Sequence, residues 1–196
     1  MPTVAVLAAY CIGSVPFAWL LARRVNVGDL RRIGSGNVGA ANVLRASGAP
    51  AAITVALLDM AKGIASVVIA LQMSGSASTG AAAGLAAILG HVYPVWLRFR
   101  GGKGVATTCG VFAVLAPLAM VPAAAVFVAT VWATGYISLG SVLASVTLVP
   151  IAYAVGAPTP ALVAACAASG LIVFRHRSNV VRLRTGTERR IGERAF

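Results

Sequence analysis

Charge is scarce in this chain of 196 residues: only 10% of positions are Asp, Glu, Lys or Arg, against roughly a quarter in a soluble domain. With 59% hydrophobic residues and a mean hydropathy of +0.91, that scarcity excludes a soluble globular protein. Acid is scarcer still, 4 Asp+Glu against 16 Lys+Arg, for a net charge of +12. In a soluble chain such a balance points to nucleic acid, but no polar basic domain is present to bind it. Basic loops of a membrane protein, facing the cytoplasm and an anionic substrate, fit the pattern better. Cysteine is sparse too: Cys11, Cys109 and Cys166 stand singly inside apolar runs with no CxxC spacing. They read as buried, inert thiols, which excludes a disulfide framework. The 2 histidines and 4 acids are scattered, which argues against a catalytic metal.

What is present is a series of long apolar stretches separated by basic clusters. Val4 to Ala22 has no basic residue ahead of it and is followed by Arg23-Arg24. It therefore reads as a membrane anchor with its N-terminus outside, in place of a signal peptide. Charges fall into four groups: Arg23 to Arg45, Asp59 with Lys62, Arg98 to Lys103, and Arg175 to Arg194. None lies between Gly104 and Phe174. A Lys or Arg at the bilayer centre costs roughly 2.5–3.5 kcal/mol on insertion scales, so the three basic clusters are expected in cytoplasmic loops, at about 23–50, 98–104 and 175–196.

That placement fixes parity. One span (about 4–22) reaches the inside, and two (about 51–72 and 79–97, turning at Ser74-Gly75-Ser76) return there. The chargeless stretch must hold an even number of spans. Breakers at Pro117 to Pro122, Gly135-Tyr136 and Gly156 to Pro160 divide it into four pieces, each shorter than the usual ~20 residues. The expectation is an all-α polytopic protein, a single domain over 1–196 with seven transmembrane helices, N-terminus outside and C-terminus cytoplasmic. Five spans are the alternative. The Ala, Gly, Ser and Thr of the spans let helices approach closely.

Three loops then share one face. Residues 34–45 read GSGNVGAANVLR, residues 98–104 RFRGGKG and residues 175–179 RHRSN. Glycine lets backbone N–H groups converge on an anion, a restarting helix adds its positive end, and Arg and Lys supply a fork and a point charge. One such cluster would read as a topology determinant; three on one face predict a composite phosphate site. A P-loop is excluded, since Leu97 stands where GxxxxGK[ST] needs glycine and Gly104 where it needs Ser or Thr.

These loops, with HVYPVWLRFRGGKGVAT (His91 to Thr107), RHRSNVVRLRTGTE (Arg175 to Glu188) and Leu58-Asp59-Met60-Ala61-Lys62-Gly63, resemble the motifs of the PlsY family in the family's order over most of the chain. That family comprises bacterial acyl-phosphate:glycerol-3-phosphate acyltransferases. The resemblance implies transfer of a fatty acyl group from acyl phosphate to the sn-1 hydroxyl of glycerol 3-phosphate, in phospholipid biosynthesis at the bacterial inner membrane. Membrane lipid is the surrounding partner, and no cofactor, metal or nucleic acid is implied. The first motif commonly reads SGNxGATN, so Ala41 lacks that threonine's hydroxyl; Arg100, where lysine is common, keeps the charge. Oligomeric state carries no signal.

An acyl phosphate is already activated, so the task is to hold two anions together and stabilise an oxyanion, work for donors and cations. The sequence agrees, with no GxSxG elbow and no HxxxxD box after His91 or His176. Ser35 and Arg45, with the backbone of Gly34, Gly36, Asn37 and Gly39, are expected at one phosphate, with a helix cap as the lesser reading of Ser35; Asn42 is expected to bind substrate and reads equally as a local cap. Gly101, Gly102, Lys103 and Gly104 are expected to cradle the phosphate of glycerol 3-phosphate, against the reading of Lys103 as a boundary lysine.

His176 and Asn179, at i and i+3, are expected to be catalytic together with Ser35, Arg45 and Lys103, with Asn179 orienting substrate hydroxyls. Arg175 and Arg177 should keep His176 neutral; the proton acceptor is either His176 or a substrate phosphate. Ser138 and Ser141 reach the pocket or cap a helix. Asp59 and Lys62 are expected to form a structural pair, or Asp59 to pair with a loop arginine. Glu188 is expected to partner nearby arginines, and His91 to be a hydrogen-bonded helix-end residue. The competing function is a transporter of an organic phosphate anion, whose signature would be charges at mid-bilayer.

Overall fold

The computed structural model describes residues 1–24 and 28–193. Val25 to Val27 of the first expected loop, and Arg194 to Phe196 of the last, lie outside the described residues. The described residues contain helices and no strand. In order they are α1 (Pro2–Gly13), α2 (Phe17–Arg24), α3 (Ala40–Ser47), α4 (Ala49–Ser74), α5 (Ala77–Val92), α6 (Val105–Leu115), α7 (Pro117–Thr134), α8 (Ile137–Ala154), α9 (Thr159–Arg175) and α10 (Arg177–Arg184), with short 3-10 turns at Leu30–Arg32 and Val95–Leu97.

Five segments are long and apolar enough to cross a bilayer: Pro2–Arg24, Ala49–Ser74, Ala77–Leu97, Pro117–Thr134 and Ile137–Ala154. The α9–α10 pair would add a sixth, bent by 54° at His176, and α6 is short at 11 residues. Their outer sides carry apolar side chains that face no protein, Leu57, Val121, Trp132 and Val163 among them, as lipid contact requires.

Breaks fall where expected at Ser74-Gly75-Ser76, Gly135-Tyr136 and Val155 to Pro158. Pro122 corrects the expectation: α7 starts at Pro117 and runs through it, because one missing N–H is tolerated in a helix supported by neighbours. The first span is one crossing segment, as expected, but its helix is interrupted. Ser14 to Pro16 divide it into α1 and α2, and the Val15 carbonyl turns to accept from Lys62 Nζ at 3.0 Å.

Packing rests on small residues. A Cβ at Gly13 would fall on the Ala87 carbonyl and one at Gly90 on the Tyr10 carbonyl, so α1 and α5 are in backbone contact. Gly63 and Gly110 do the same between α4 and α6. The main core gathers Ile88, Val92, Val111, Phe112 and Leu148; a second cluster of Leu30, Val43, Val55 and Leu97 pins the first loop to the bundle. The thiols are not uniformly buried as expected: Cys11 and Cys166 lie on outward faces, since the helices are apolar on every side, and Cys109 is half-buried.

Candidate active site

Three connectors meet at one end of the bundle. The first is the loop into α3, held by Asn42. Its side-chain amide nitrogen donates to the Leu30 and Ile33 carbonyls, both at 3.0 Å, while its oxygen accepts from the Ser35 backbone N–H at 3.0 Å and from Ser35 Oγ at 3.3 Å. Asn42 is thus an internal clamp whose N–H groups are already committed, and it also lines the cavity described below. Arg45, one turn further along α3, reaches the cavity described below.

The second connector runs from α5 to α6. The Gly101 and Gly102 N–H groups bond to the Val92 and His91 carbonyls, each at 3.1 Å, so they are unavailable to cradle a phosphate, and that expectation is corrected for both. These residues must be glycine because the chain folds back against His91: a Cβ at Gly102 would fall on His91 Nε2. Gly104 differs in kind. Its φ of 88° is a left-handed conformation that glycine adopts without strain, and it caps α6 so that Lys103 projects at that helix's positive end.

The third connector is the bend between α9 and α10. The His176 backbone closes α9, and the side chains of His176 and Asn179 are both buried. Lys103 Nζ donates to Asn179 Oδ1, and Arg175 reaches the Gly102 carbonyl at 3.4 Å, joining the second connector to the third. Asn179 Nδ2 donates to Glu188 Oε1 at 2.7 Å. The same carboxylate accepts from Ser138 Oγ at 2.8 Å and, through Oε2, from Arg182 Nε at 2.7 Å. Glu188 is thus an arginine partner as expected, and also the tie between the C-terminal segment and α8.

These connectors enclose a cavity of about 360 Å³, within the ~300–1,000 Å³ of ligand sites. Its polar lining includes Ser35, Asn37, Arg45, Lys103, Ser141, His176 and Asn179, with the backbone of Gly39 and Gly104, and its apolar lining Met60, Met120, Phe127 and Leu148. A second cavity of about 290 Å³ shares Ser35, Asn37 and Lys103 and is walled by Gly36, Gly101, Arg100, Arg175, Arg177 and Arg182. Gly34 and Gly102 line neither. Ser141 Oγ donates back to the Ile137 carbonyl one turn earlier in its own helix, at 2.8 Å, and faces the cavity; it caps no helix end.

Two groups of cavity residues escaped the sequence reading. Ser145 follows Ser138 and Ser141 by helical spacing and lies on the same wall; three hydroxyls at i, i+3 and i+7 on a chargeless helix were the available signal. Asp59 and His91 also line the cavity. Asp59 pairs with Lys62 at 2.8 Å and faces His91 Nδ1 at 3.4 Å, and no loop arginine approaches it among the described residues.

Burial chiefly, together with neighbouring arginines, lowers the Lys103 pKa to about 8, with Glu188 opposing. Burial and then the Lys103 charge lower His176 to about 4, so it is neutral at pH 7. The neutrality is as expected, but Arg175 plays only a minor part and Arg177 stacks outward on Phe174. His176 Nδ1 lies 2.8 Å from the Ile172 carbonyl, which places the ring proton there and leaves Nε2 as the basic nitrogen. Burial raises the Glu188 pKa, but hydrogen bonds from Asn179, Ser138 and Arg182 outweigh it and hold the carboxyl below its usual range.

Fold and site together define an integral membrane protein with a cavity where its three basic connectors meet, walled by both cationic and apolar side chains. The chain belongs to the glycerol-3-phosphate acyltransferase family, whose profile matches residues 3–186, which makes it an acyltransferase and not a transporter. It is 44% identical over 196 aligned residues to a glycerol-3-phosphate acyltransferase of Halalkalibacterium halodurans, covering 96% of this chain and 95% of that one. A namesake from Sinorhizobium fredii is 48% identical, covering 94% and 90%.

Two crystal structures of PlsY, an integral membrane glycerol 3-phosphate acyltransferase, share the fold. Its glycerol 3-phosphate form has a TM-score of 0.92 at 38% identity, covering 97% of this chain and 96% of that one. Its lysophosphatidic acid form has a TM-score of 0.88 at 36% identity, covering 97% and 95%.

Proposed function

We propose that residues 1–196 form one domain that transfers a fatty acyl group from acyl phosphate to the sn-1 hydroxyl of glycerol 3-phosphate, releasing lysophosphatidic acid and phosphate. The observation that carries this reading is the meeting of Ser35 and Arg45, Lys103, and His176 and Asn179 from three distant connectors around one cavity whose wall is otherwise largely apolar. The glycerol 3-phosphate and lysophosphatidic acid forms of the structural relative support both the acceptor and the product.

In this reading Ser35 and Arg45 hold one phosphate and Lys103, at the start of α6, the other. The adjoining basic cavity gives the water-soluble acceptor its approach. Asn179 and Ser141 orient the glycerol hydroxyls. The hydroxyl oxygen attacks the acyl carbon, the bond from that carbon to the phosphate oxygen breaks, and the departing phosphate takes the proton. A His176 with a pKa of about 4 is a poor base at neutral pH, whereas a phosphate with a second pKa near ~6 is a suitable one. Cations around the site stabilise the tetrahedral oxyanion.

Parity and the positive-inside rule support seven spans, with α6 and α9 crossing alongside the five longer segments, the N-terminus outside and the C-terminus and site at the cytoplasmic face of the bacterial inner membrane. There the acyl tail stays in lipid, worth about 11 kcal/mol for fourteen methylenes at ~0.8 each.

The test is purified protein in detergent with palmitoyl phosphate and glycerol 3-phosphate. Lysophosphatidic acid and phosphate should appear in equal amounts. Release of phosphate without the lipid product, or no turnover, would overturn the reading.

A further inference from the structure

Behind the Gly101-Gly102 turn lies a line of buried polar contacts that the reaction as described does not use. It begins at the break between α1 and α2, where the Val15 carbonyl accepts from Lys62 Nζ at 3.0 Å. The same ammonium pairs with Asp59 at 2.8 Å, and Asp59 Oδ1 faces His91 Nδ1 at 3.4 Å. The other edge of the His91 ring meets the turn: a Cβ added to Gly102 would collide with Nε2, and lie 2.7 Å from Cε1 and 3.0 Å from Cδ2. The His91 carbonyl accepts the Gly102 N–H at 3.1 Å. Lys103 is the next residue.

Stability alone does not require this arrangement. A buried ion pair in a helix bundle stabilises no more than well-packed apolar side chains would, and ionisable groups inside membrane spans mark function by default. What the pair adds is direction. Asp59, paired with Lys62, faces the Nδ1 edge of the imidazole at 3.4 Å, and the glycines lie against the opposite edge.

We propose that Asp59 and His91 are positioning residues, a brace that sets the Gly101-Gly102 turn and thereby places Lys103 where the phosphate of glycerol 3-phosphate is received. The inference rests on the acceptor reading above. In that reading the brace acts on binding of the acceptor and leaves the chemical step alone.

Steady-state kinetics on purified Asp59→Asn and His91→Gln, in detergent with palmitoyl phosphate and glycerol 3-phosphate, test it. Each should raise the KM for glycerol 3-phosphate about tenfold, since small misplacements of a binding group cost one to two orders of magnitude. The KM for palmitoyl phosphate and kcat should stay within about twofold. Because the two act in series, the double variant should be no worse than the poorer single one.

Gly102→Ala should raise the same KM by more than His91→Gln does, and adding His91→Ala, which removes the ring that the new methyl strikes, should bring it down only to the raised value of the His91 variant. This pair carries the test if Asp59→Asn does not fold, and a return to the unaltered KM would overturn the brace. Unchanged KM values beside an active unaltered protein, effects that multiply in the double variant, or loss of kcat at constant KM would overturn the brace. No transfer by the unaltered protein would instead overturn the function reading itself.

Discussion

Asn179 donates to Glu188 through Nδ2 at 2.7 Å, which turns its carbonyl oxygen toward Lys103. The amide is thus held by a carboxylate on one side and presented to a cation on the other. Asn179→Asp removes the donor and sets two carboxylates against each other. Activity should fall about 10–100-fold, the cost of leaving a buried charged group unpaired. Asn179→Gln should also lose activity, because its longer chain cannot serve both partners. Initial rates with both substrates saturating check this.

The Lys103 pKa of about 8 sets an alkaline limit. The ammonium is the form that attracts phosphate, and it is present below that pH and lost as pH rises through it. For the free enzyme, kcat/KM should therefore fall above about pH 8. In kcat the limb should lie higher, since a bound anion favours the charged form. Lys103→Arg, whatever its activity, should show no such limb below pH 10.

His176→Ala distinguishes the two proton acceptors. Removing a general base costs about 10²–10⁴ in kcat, whereas a neutral histidine that only lines the site costs less. We expect a loss of about tenfold, and a pH profile with no limb near 4 that disappears on substitution. Single-turnover measurement keeps product release from hiding the effect.

Lys62→Met leaves Asp59 inside the bundle without its ammonium partner, facing only His91. Breaking a buried pair from one side destabilises by about 3–5 kcal/mol. The melting temperature in detergent should drop sharply, and adding Asp59→Asn should recover part of the loss.

Gly110→Ala should also lower the melting temperature, because its methyl would strike the Met60 backbone carbonyl, whereas Gly170→Ala meets nothing within 4 Å and should be neutral or better. Helix propensity alone favours alanine at both positions by ~1 kcal/mol, so opposite signs would isolate the contact.

Chargeless stretches, glycine turns and basic clusters were enough to divide the chain into helices and to put its three polar connectors on one side. These are local signals, each carried by adjacent residues. Tertiary relationships were less accessible. The Asn42 clamp, the occupied N–H groups of Gly101 and Gly102, and the approach of His91 to Asp59 depend on atoms far apart along the chain, and composition near each residue looks the same either way. The break at Val15-Pro16 was open to inspection, since Pro16 removes an N–H; its meaning appears only when Lys62 arrives from another helix. Ser145 was readable from spacing alone.

Cys109 stands inside the larger cavity, while Cys11 and Cys166 look outward. Nature has thereby furnished this enzyme with its own occupancy probe. With the two outward thiols replaced, a maleimide's rate of attachment at the remaining one would register an empty or filled compartment, without any label having to be engineered in.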